Sequence, residues 1–258
     1  MRGMDDDVRE DRVRRMTVAI ILAGGVGQRM RNAGLPKQFL KLFGKPIIIY
    51  TLEKFQSCTE IDKIVVVCKD GYLDYMKELL EIYHIHKAER VVVGGGTRQS
   101  SLHRGMEAAE FIGCSREDVV LIHDGVRPLV SVATIRENVR VAREYGCAIT
   151  VYPATESVLV SDGRDIRIDD FKKRSETYSL SSPQSFRLGN LLDAFSCSPR
   201  DEYQGMPLLD AGMVYSSVGG EVHLVKEHAP NIKITTPEDF YYLRAMLELE
   251  ENRVIFGL

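Results

Sequence analysis

The runs KIVVVC at 63–68 and DVVLIH at 118–123 constrain this chain more than any other feature, because they are apolar without alternation. A strand with one face in water alternates apolar and polar residues. A strand apolar on both faces needs helices above and below it, which is the setting of a parallel sheet. From Thr17 onward such runs alternate with segments of helical pattern: TVAIILA, PIIIYTLEKFQSC, KIVVVC, GYLDYMKELLEIY, RVVV, RQSSLHRGMEAAEFI, DVVLIH, ATIRENVRVAREYG and CAITVY. This alternation predicts an α/β domain with a doubly wound, mostly parallel sheet and a ligand crevice at the carboxyl ends of its strands. One domain over 17–258 is expected, after a solvated, flexible leader at 1–16 (MRGMDDDVREDRVRRM) that has no apolar stretch.

Between Val151 and Pro183 the alternation breaks. VYPATESVLV, the turn-like SDGRD and IRIDDF read as two extended segments joined by a Gly-containing loop, a projecting β-hairpin over Val151–Phe171 in an arm at about 151–178. A helix near Leu188–Phe195, a strand near Glu221–Lys226 and a closing helix follow. TTPED signals the start of that last helix, with a Thr cap, Pro at the first helical position and acids in the first turn.

A chain of 258 residues, 44% hydrophobic and 28% charged, can bury a core without staples. Its net charge of −3 supplies no general basic field, which argues against nucleic acid while leaving room for a local basic pocket that takes a small anion. Cys58, Cys68, Cys114, Cys147 and Cys197 are odd in number and scattered, so neither a disulfide framework nor a zinc site is expected and a reducing cytoplasm is the natural setting. His84 and His86 form one H-x-H with no cysteine close in sequence, which reads as solvent-facing. No apolar run approaches the roughly 20 residues needed to span a bilayer.

The first strand runs directly into Ala23-Gly24-Gly25-Val26-Gly27-Gln28-Arg29-Met30, where glycines let backbone N–H groups turn inward around an anion and Arg29 adds a charged fork. Such a turn also serves dinucleotides, or tight packing alone. A dinucleotide fingerprint, however, has a third glycine where Met30 stands and an acid roughly 20 residues on, and a Walker loop has Gly-Lys-Ser/Thr. Here Leu35-Pro36-Lys37-Gln38-Phe39 follows instead, with Lys37 placed by a rigid proline so that Arg29 and Lys37 bracket a triphosphate. Gly94-Gly95-Gly96-Thr97-Arg98-Gln99-Ser100-Ser101 follows a strand and opens a helix, exposing amides and hydroxyls to a polar ligand. VVLIHDGVRP puts Asp124 just past a buried strand, where an aspartate is a turn former or, facing the crevice, a metal ligand.

LAGGVGQRM followed by LPKQF resembles the nucleotidyltransferase pattern of the family containing methylerythritol-phosphate and ribitol-5-phosphate cytidylyltransferases. The likeness runs from about Thr17 to the closing helix. It implies a nucleotide-diphospho-sugar transferase-like fold, CTP as nucleotide, Mg²⁺ as cofactor and a homodimer. By this resemblance Ala23, Gly24, Gly25 and Gly27 wrap the triphosphate, and Arg29 and Lys37 neutralise it through the transition state. The GGxxRxxS-like motif assigns pyrimidine recognition to Gly95, Gly96 and Ser101, and leaves Arg98 as a structural brace. HDGVRP assigns Asp124 to magnesium, Gly125 to the ribose and Arg127 to the acceptor, with His123 a structural histidine.

NIKITTPED at 231–239 assigns Lys233 to the acceptor phosphate. Arg174, Tyr178 and Pro183-Gln184 keep the family's spacing, and the resemblance implies that Arg174 reaches the active site of a neighbouring subunit from beside the arm. Asp210 matches an acidic position near the acceptor pocket and reads equally as a helix cap. Two departures lie toward the acceptor: Glu156-Ser157 stands where the family usually has Asp-Thr, with Ser157 assigned to acceptor binding, and Leu209 replaces a Ser or Thr before Asp210.

The implied reaction moves CMP from CTP to a sugar-alcohol phosphate. GLPKQF, KPIIIYTLEKF, HDGVRP and SPQSF resemble the ribitol-phosphate branch slightly more than the methylerythritol-phosphate branch, which implies ribitol 5-phosphate as acceptor ahead of 2-C-methyl-D-erythritol 4-phosphate. The rival classes are an NAD-dependent oxidoreductase, disfavoured by the fingerprint mismatch, and a non-catalytic CTP-binding protein, disfavoured by retention of Arg29, Lys37, Asp124 and Lys233.

Overall fold

Val18, Ala19, Ile20 and Ile21 are all 0% exposed, so the first strand, β1 (Thr17–Ala23), is buried on both faces as its unbroken apolar run requires. The structure is a computed structural model that describes residues 15–25, 35–161, 168–198, 202–203, 206–227 and 229–256. Six further strands join β1: β2 (Lys63–Cys68), β3 (Ala88–Val93), β4 (Val119–Asp124), β5 (Cys147–Pro153), β6 (Tyr178–Arg187) and β7 (Leu224–Lys226). Their order is β7-β5-β6-β4-β1-β2-β3. Every pairing is parallel except those of β6, which runs antiparallel to both β4 and β5.

Seven helices cover the sheet among the described residues: α1 (Ile47–Ser57), α2 (Leu73–Ile82), α3 (Arg98–Phe111), α4 (Val132–Tyr145), α5 (Leu188–Cys197), α6 (Ala211–Ser217) and α7 (Pro237–Phe256). Alternate residues of β1 feed two cores. Ala19 and Ile21 pack with Leu52, Phe55, Met76 and Val139, which places α1, α2 and α4 on one face. Val18 and Ile20 pack with Leu102, Met106, Leu191 and Ala211, which places α3, α5 and α6 on the other. A smaller cluster of Leu42, Ile47, Val126, Ile234 and Leu243 holds α7. The expected signal at the start of α7 is realised: Asp239 Oδ2 accepts from the Thr235 and Thr236 N–H groups at 2.7 and 2.8 Å.

The arm departs from expectation in its bounds and in one conformation. Residues 151–153 and 178 belong to the sheet, so the chain leaves it after Pro153 and rejoins at Tyr178. Between them Val158–Leu159 pairs antiparallel with Phe171–Lys172. Ile168–Asp170, read as extended, forms a 3-10 turn; adjacent aspartates favour turns over strands. The strand expected near Glu221–Lys226 is limited to Leu224–Lys226, the residues that find partners at Ile149–Val151. SSPQSF is a sheet strand although it holds a proline, and its pairing with β5 shifts register between Leu180 and Gln184.

The chain winds outward from β1 through β2 to β3, then returns across the opposite face by α3 to β4 on the other side of β1. The strand order therefore reverses between β1 and β4, and a crevice opens beyond their carboxyl ends.

Candidate active site

That crevice is a cavity of about 660 Å³. Lys37, Lys69, Arg98, Arg104 and Lys233 line it against two acids, Asp70 and Asp124. Five cations against two anions make a positive well in a chain of net charge −3, the local basic pocket expected for an anionic ligand.

Asp124 organises the well. It ends β4, is 5% exposed, and both carboxylate oxygens are engaged. Arg98 Nη1 donates to Oδ1 at 2.7 Å, Arg127 Nε donates to Oδ2 at 3.1 Å, and Lys233 Nζ lies 3.1 Å from Oδ2. Burial opposes charge on this carboxyl, but Arg98, Lys233 and Arg127 together overcome it and hold the group well below the usual carboxylate range. Burial also lowers the Lys233 ammonium from its ordinary value, with Asp124 opposing the fall and Arg98 adding to it. Arg98 and Lys233 keep 36% and 35% of their side-chain surface exposed, against 15% for Arg127. The first two can turn to a ligand; the third, whose Nη1 also donates to the Asn231 carbonyl at 2.8 Å, stays as a clamp.

A neutral histidine fixes the backbone beneath this cluster. His123 Nε2 lies 3.1 Å from the Arg127 carbonyl, which only accepts, so Nε2 carries the proton. Nδ1 then accepts from the Ser182 hydroxyl at 3.1 Å, and Ser182 Oγ accepts from the Asp124 N–H at 3.2 Å. Burial, opposed by the Arg127 carbonyl and Asp124, pushes the imidazole pKa down to about 4. His123 is thus structural, as expected. Asn231 Nδ2 donates to the Ser182 carbonyl at 2.7 Å, which ties the segment carrying Lys233 to the same network.

The loop before α3 is rigid for local reasons. Thr97 and Ser100 form a reciprocal capping box at 3.0 and 2.9 Å. Ser101 Oγ accepts from the Gly95 N–H at 3.0 Å and donates to the Thr97 carbonyl at 2.9 Å, so its hydroxyl braces the loop in this conformation.

Ala23, Gly24, Gly25, Lys37, Gly95, Gly96, Ser101, Asp124 and Lys233 come together around the cavity. Gly27 and Arg29 lie outside the described residues. Gly125 does not line the cavity; a Cβ there would meet the terminal methyl of Ile48 at 2.5 Å and the Leu22 carbonyl at 3.2 Å, so a side chain would need both to give way. Arg98, expected as a structural brace, lines the cavity and bonds Asp124. Asp210 caps α6, accepting from the Met213 N–H at 2.9 Å, and its charge also acts on Arg98. Arg174 and Ser157 are exposed on the arm and do not line the cavity. Sequence reasoning missed Lys69, Asp70, Arg104 and Gln38. Lys69-Asp70 directly follows the β2 run, and the rule that strand ends face the crevice would have found the pair.

Among the described residues no group of three or more His, Cys, Asp or Glu could hold a metal by itself. No helix among them is long and apolar enough to cross a membrane.

The model of one protein family, described as IspD: 2-C-methyl-D-erythritol 4-phosphate cytidylyltransferase, matches residues 17–249. A relative from Streptococcus agalactiae serotype III named ribitol-5-phosphate cytidylyltransferase is 41% identical over 248 residues, covering 94% of this chain and 100% of its own. A relative of the same name from Vibrio parahaemolyticus is 41% identical over 242 residues, with the same coverage. Among solved structures, a 4-diphosphocytidyl-2C-methyl-D-erythritol synthase from Anaerococcus prevotii matches with a TM-score of 0.76 at 26% identity, over 91% of this chain and 97% of that one.

Proposed function

The chain belongs to the IspD family of cytidylyltransferases, and from that premise we propose that it transfers CMP from CTP to ribitol 5-phosphate, giving CDP-ribitol and pyrophosphate. It is a CTP-dependent nucleotidyltransferase acting on a sugar-alcohol phosphate. One observation carries the choice of acceptor: identity is 41% across the whole length of ribitol-5-phosphate cytidylyltransferases, against 26% to the A. prevotii methylerythritol enzyme.

In the proposed reaction an oxygen of the acceptor phosphate attacks the α-phosphorus of CTP. A new phosphoanhydride bond forms, the bond from the α-phosphorus to the α–β bridging oxygen breaks, and pyrophosphate leaves with the electron pair. The acceptor's second pKa is about 6, so it arrives largely as a dianion and needs no base. The difficulty is bringing two polyanions together, which is positioning plus electrostatics.

Lys37 and the backbone of Ala23–Gly25 are assigned to the triphosphate, with Arg29 expected beside them. The turn at Gly95, Gly96 and Ser101 is assigned to the pyrimidine. Lys233 is assigned to the acceptor phosphate, and Arg127 to holding that end in place. Asp124 stays ionised throughout and anchors Arg98, Arg127 and Lys233 until the substrates' charge takes over the two exposed cations.

A magnesium ion fits this donor set only in company. Asp124 Oδ1 keeps one lone pair beyond its bond to Arg98, and Mg²⁺ takes one or two carboxylates with phosphate oxygens and water. Asp124 would hold it together with the triphosphate. When bound, the ion neutralises part of the triphosphate charge and steadies the leaving pyrophosphate.

The arm exposes Leu159, Val160, Ile168 and Phe171, at 39 to 81% of their surface, apolar area suited to a second copy of the chain. That supports a homodimer in which Arg174 serves the partner's site.

Pyrophosphate release with CTP and Mg²⁺ tests the reading, comparing ribitol 5-phosphate, 2-C-methyl-D-erythritol 4-phosphate and no acceptor, with UTP and ATP as controls. Turnover confined to CTP and ribitol 5-phosphate is expected. Turnover with the methylerythritol substrate alone would overturn the acceptor, and silence with both would overturn the reaction.

A further inference from the structure

Gln38 is 1% exposed and sits between two residues with other duties. Lys37 lines the cavity, and Phe39, 0% exposed, stacks on Tyr72 at 5.1 Å within the core. The three form a single 3-10 turn entered from Pro36, whose carbonyl accepts from the Phe39 N–H at 2.9 Å. Gln38 also lines the cavity, and its side chain turns to the end of β1. Its Nε2 donates to the Ala23 carbonyl at 2.6 Å and lies 3.3 Å from the Gly25 carbonyl, so one amide nitrogen meets two carbonyls of the glycine loop.

We propose that Gln38 is a positioning residue for the nucleotide site, setting the Ala23–Gly25 backbone at the end of β1 and locking Lys37 to it. The inference rests on reading this loop as the triphosphate cradle. A peptide chain whose carbonyls are held on one side turns its N–H groups toward the other, and loop amides can hold an anion only when oriented before it arrives. The side chain must be an amide of this length: it supplies two N–H donors where a carboxylate supplies none. Because Lys37 is the next residue in the same turn, a loop that shifts at Gly25 and a lysine that shifts with it are one event. Phe39, buried in the core, gives the turn its fixed point.

Gln38→Glu and Gln38→Met test this. Glutamate keeps the shape but sets its lone pairs against two carbonyls, and methionine keeps the length without a donor. In a thermal-melting assay of wild type and both variants, with and without CTP and Mg²⁺, the CTP-induced stabilisation should shrink in both variants. In kinetics, the KM for CTP should rise about tenfold or more, the scale of a buried hydrogen bond lost with its acceptors left unpaired, while the KM for the acceptor stays near wild type.

Gln38→Glu carries a second signature. Protonation restores one O–H donor toward Ala23, so the ratio of variant to wild-type kcat/KM for CTP should climb as pH falls from 8 to 6; taking the ratio cancels titration of the substrates. A purely structural role predicts lowered melting temperatures with wild-type KM values and a flat ratio. Unchanged CTP stabilisation in either folded variant would overturn the role of Gln38 alone. No CTP stabilisation of the wild type would overturn the nucleotide-site reading itself.

Discussion

Arg98 and Asp124 are joined by a 2.7 Å charge-assisted hydrogen bond that ties the first turn of α3 to the end of β4. The helix that carries the Gly94–Ser101 turn is thereby held by the same carboxylate that holds Lys233. The elements assigned to nucleotide and to acceptor share one buried anion.

Asp124→Asn keeps the shape of that anion and removes its charge. The expected result is a fall in kcat of about a hundredfold or more, because Arg98, Arg127 and Lys233 lose their common anchor. Affinity for CTP without Mg²⁺ should hold or tighten, since the cavity becomes more positive. Steady-state kinetics and a CTP titration check both halves, and a normal kcat with weakened CTP binding would contradict the anchoring role.

Lys37→Ala and Lys233→Ala each remove one cation from the cavity. Each should lower kcat by about a hundredfold or more, the scale of losing a preorganised charge-stabilising donor. Circular dichroism should show the fold intact, and near-normal turnover in both variants would sink the mechanism.

Divalent metal binding should require the nucleotide. Three cations already face Asp124, so a free dication meets net repulsion that only the triphosphate reverses. Titration of Mn²⁺ followed by electron paramagnetic resonance should show no site without CTP and one with it. Tight metal binding to the protein alone would count against this electrostatic picture.

His123 makes stability fall in mild acid. Its folded pKa of about 4 lies below the unfolded value near 6.5, so the unfolded chain binds the extra proton between those values. The contribution is complete above pH 6.5 and is lost as pH falls toward 4, amounting to about 3 kcal/mol. Urea unfolding of metal-free protein across pH 4 to 7 measures it. His123→Gln should flatten that part of the profile; an unchanged slope would show that other groups cause it.

If Arg174 serves the partner's site, mixed dimers complement. Lys37→Ala and Arg174→Ala subunits, each impaired alone, should regain activity on mixing, because one of the two sites then receives both side chains intact. Activity no higher than either parent would place Arg174 elsewhere.

Much of the architecture was legible because it is written locally. Unbroken apolar runs require burial on both faces, so parallel strands and flanking helices followed from KIVVVC and DVVLIH before any contact was known. TTPED marked the start of α7 for a similar reason: capping engages residues three or four positions apart. The SSPQSF strand and the 3-10 turn at Ile168–Asp170 were not legible. In the first, residues on either side of Pro183 pair with neighbouring strands while the register shifts around the proline; in the second, the extended pattern of IRIDDF concealed the turn preference of its adjacent aspartates.

The sequence by itself determined the class of fold, the family and the residue types at the crevice, since these depend on periodicity and on short motifs. Only the tertiary structure decided their partners. Asp124 was expected to meet magnesium, and the fold in addition makes it the shared anion of cations brought from three separate segments. Gln38 was one letter of a motif, and its buried amide meets the Ala23 carbonyl at the end of β1. Charge interactions depend on distance and burial, and both are set by which strand ends the topology places together.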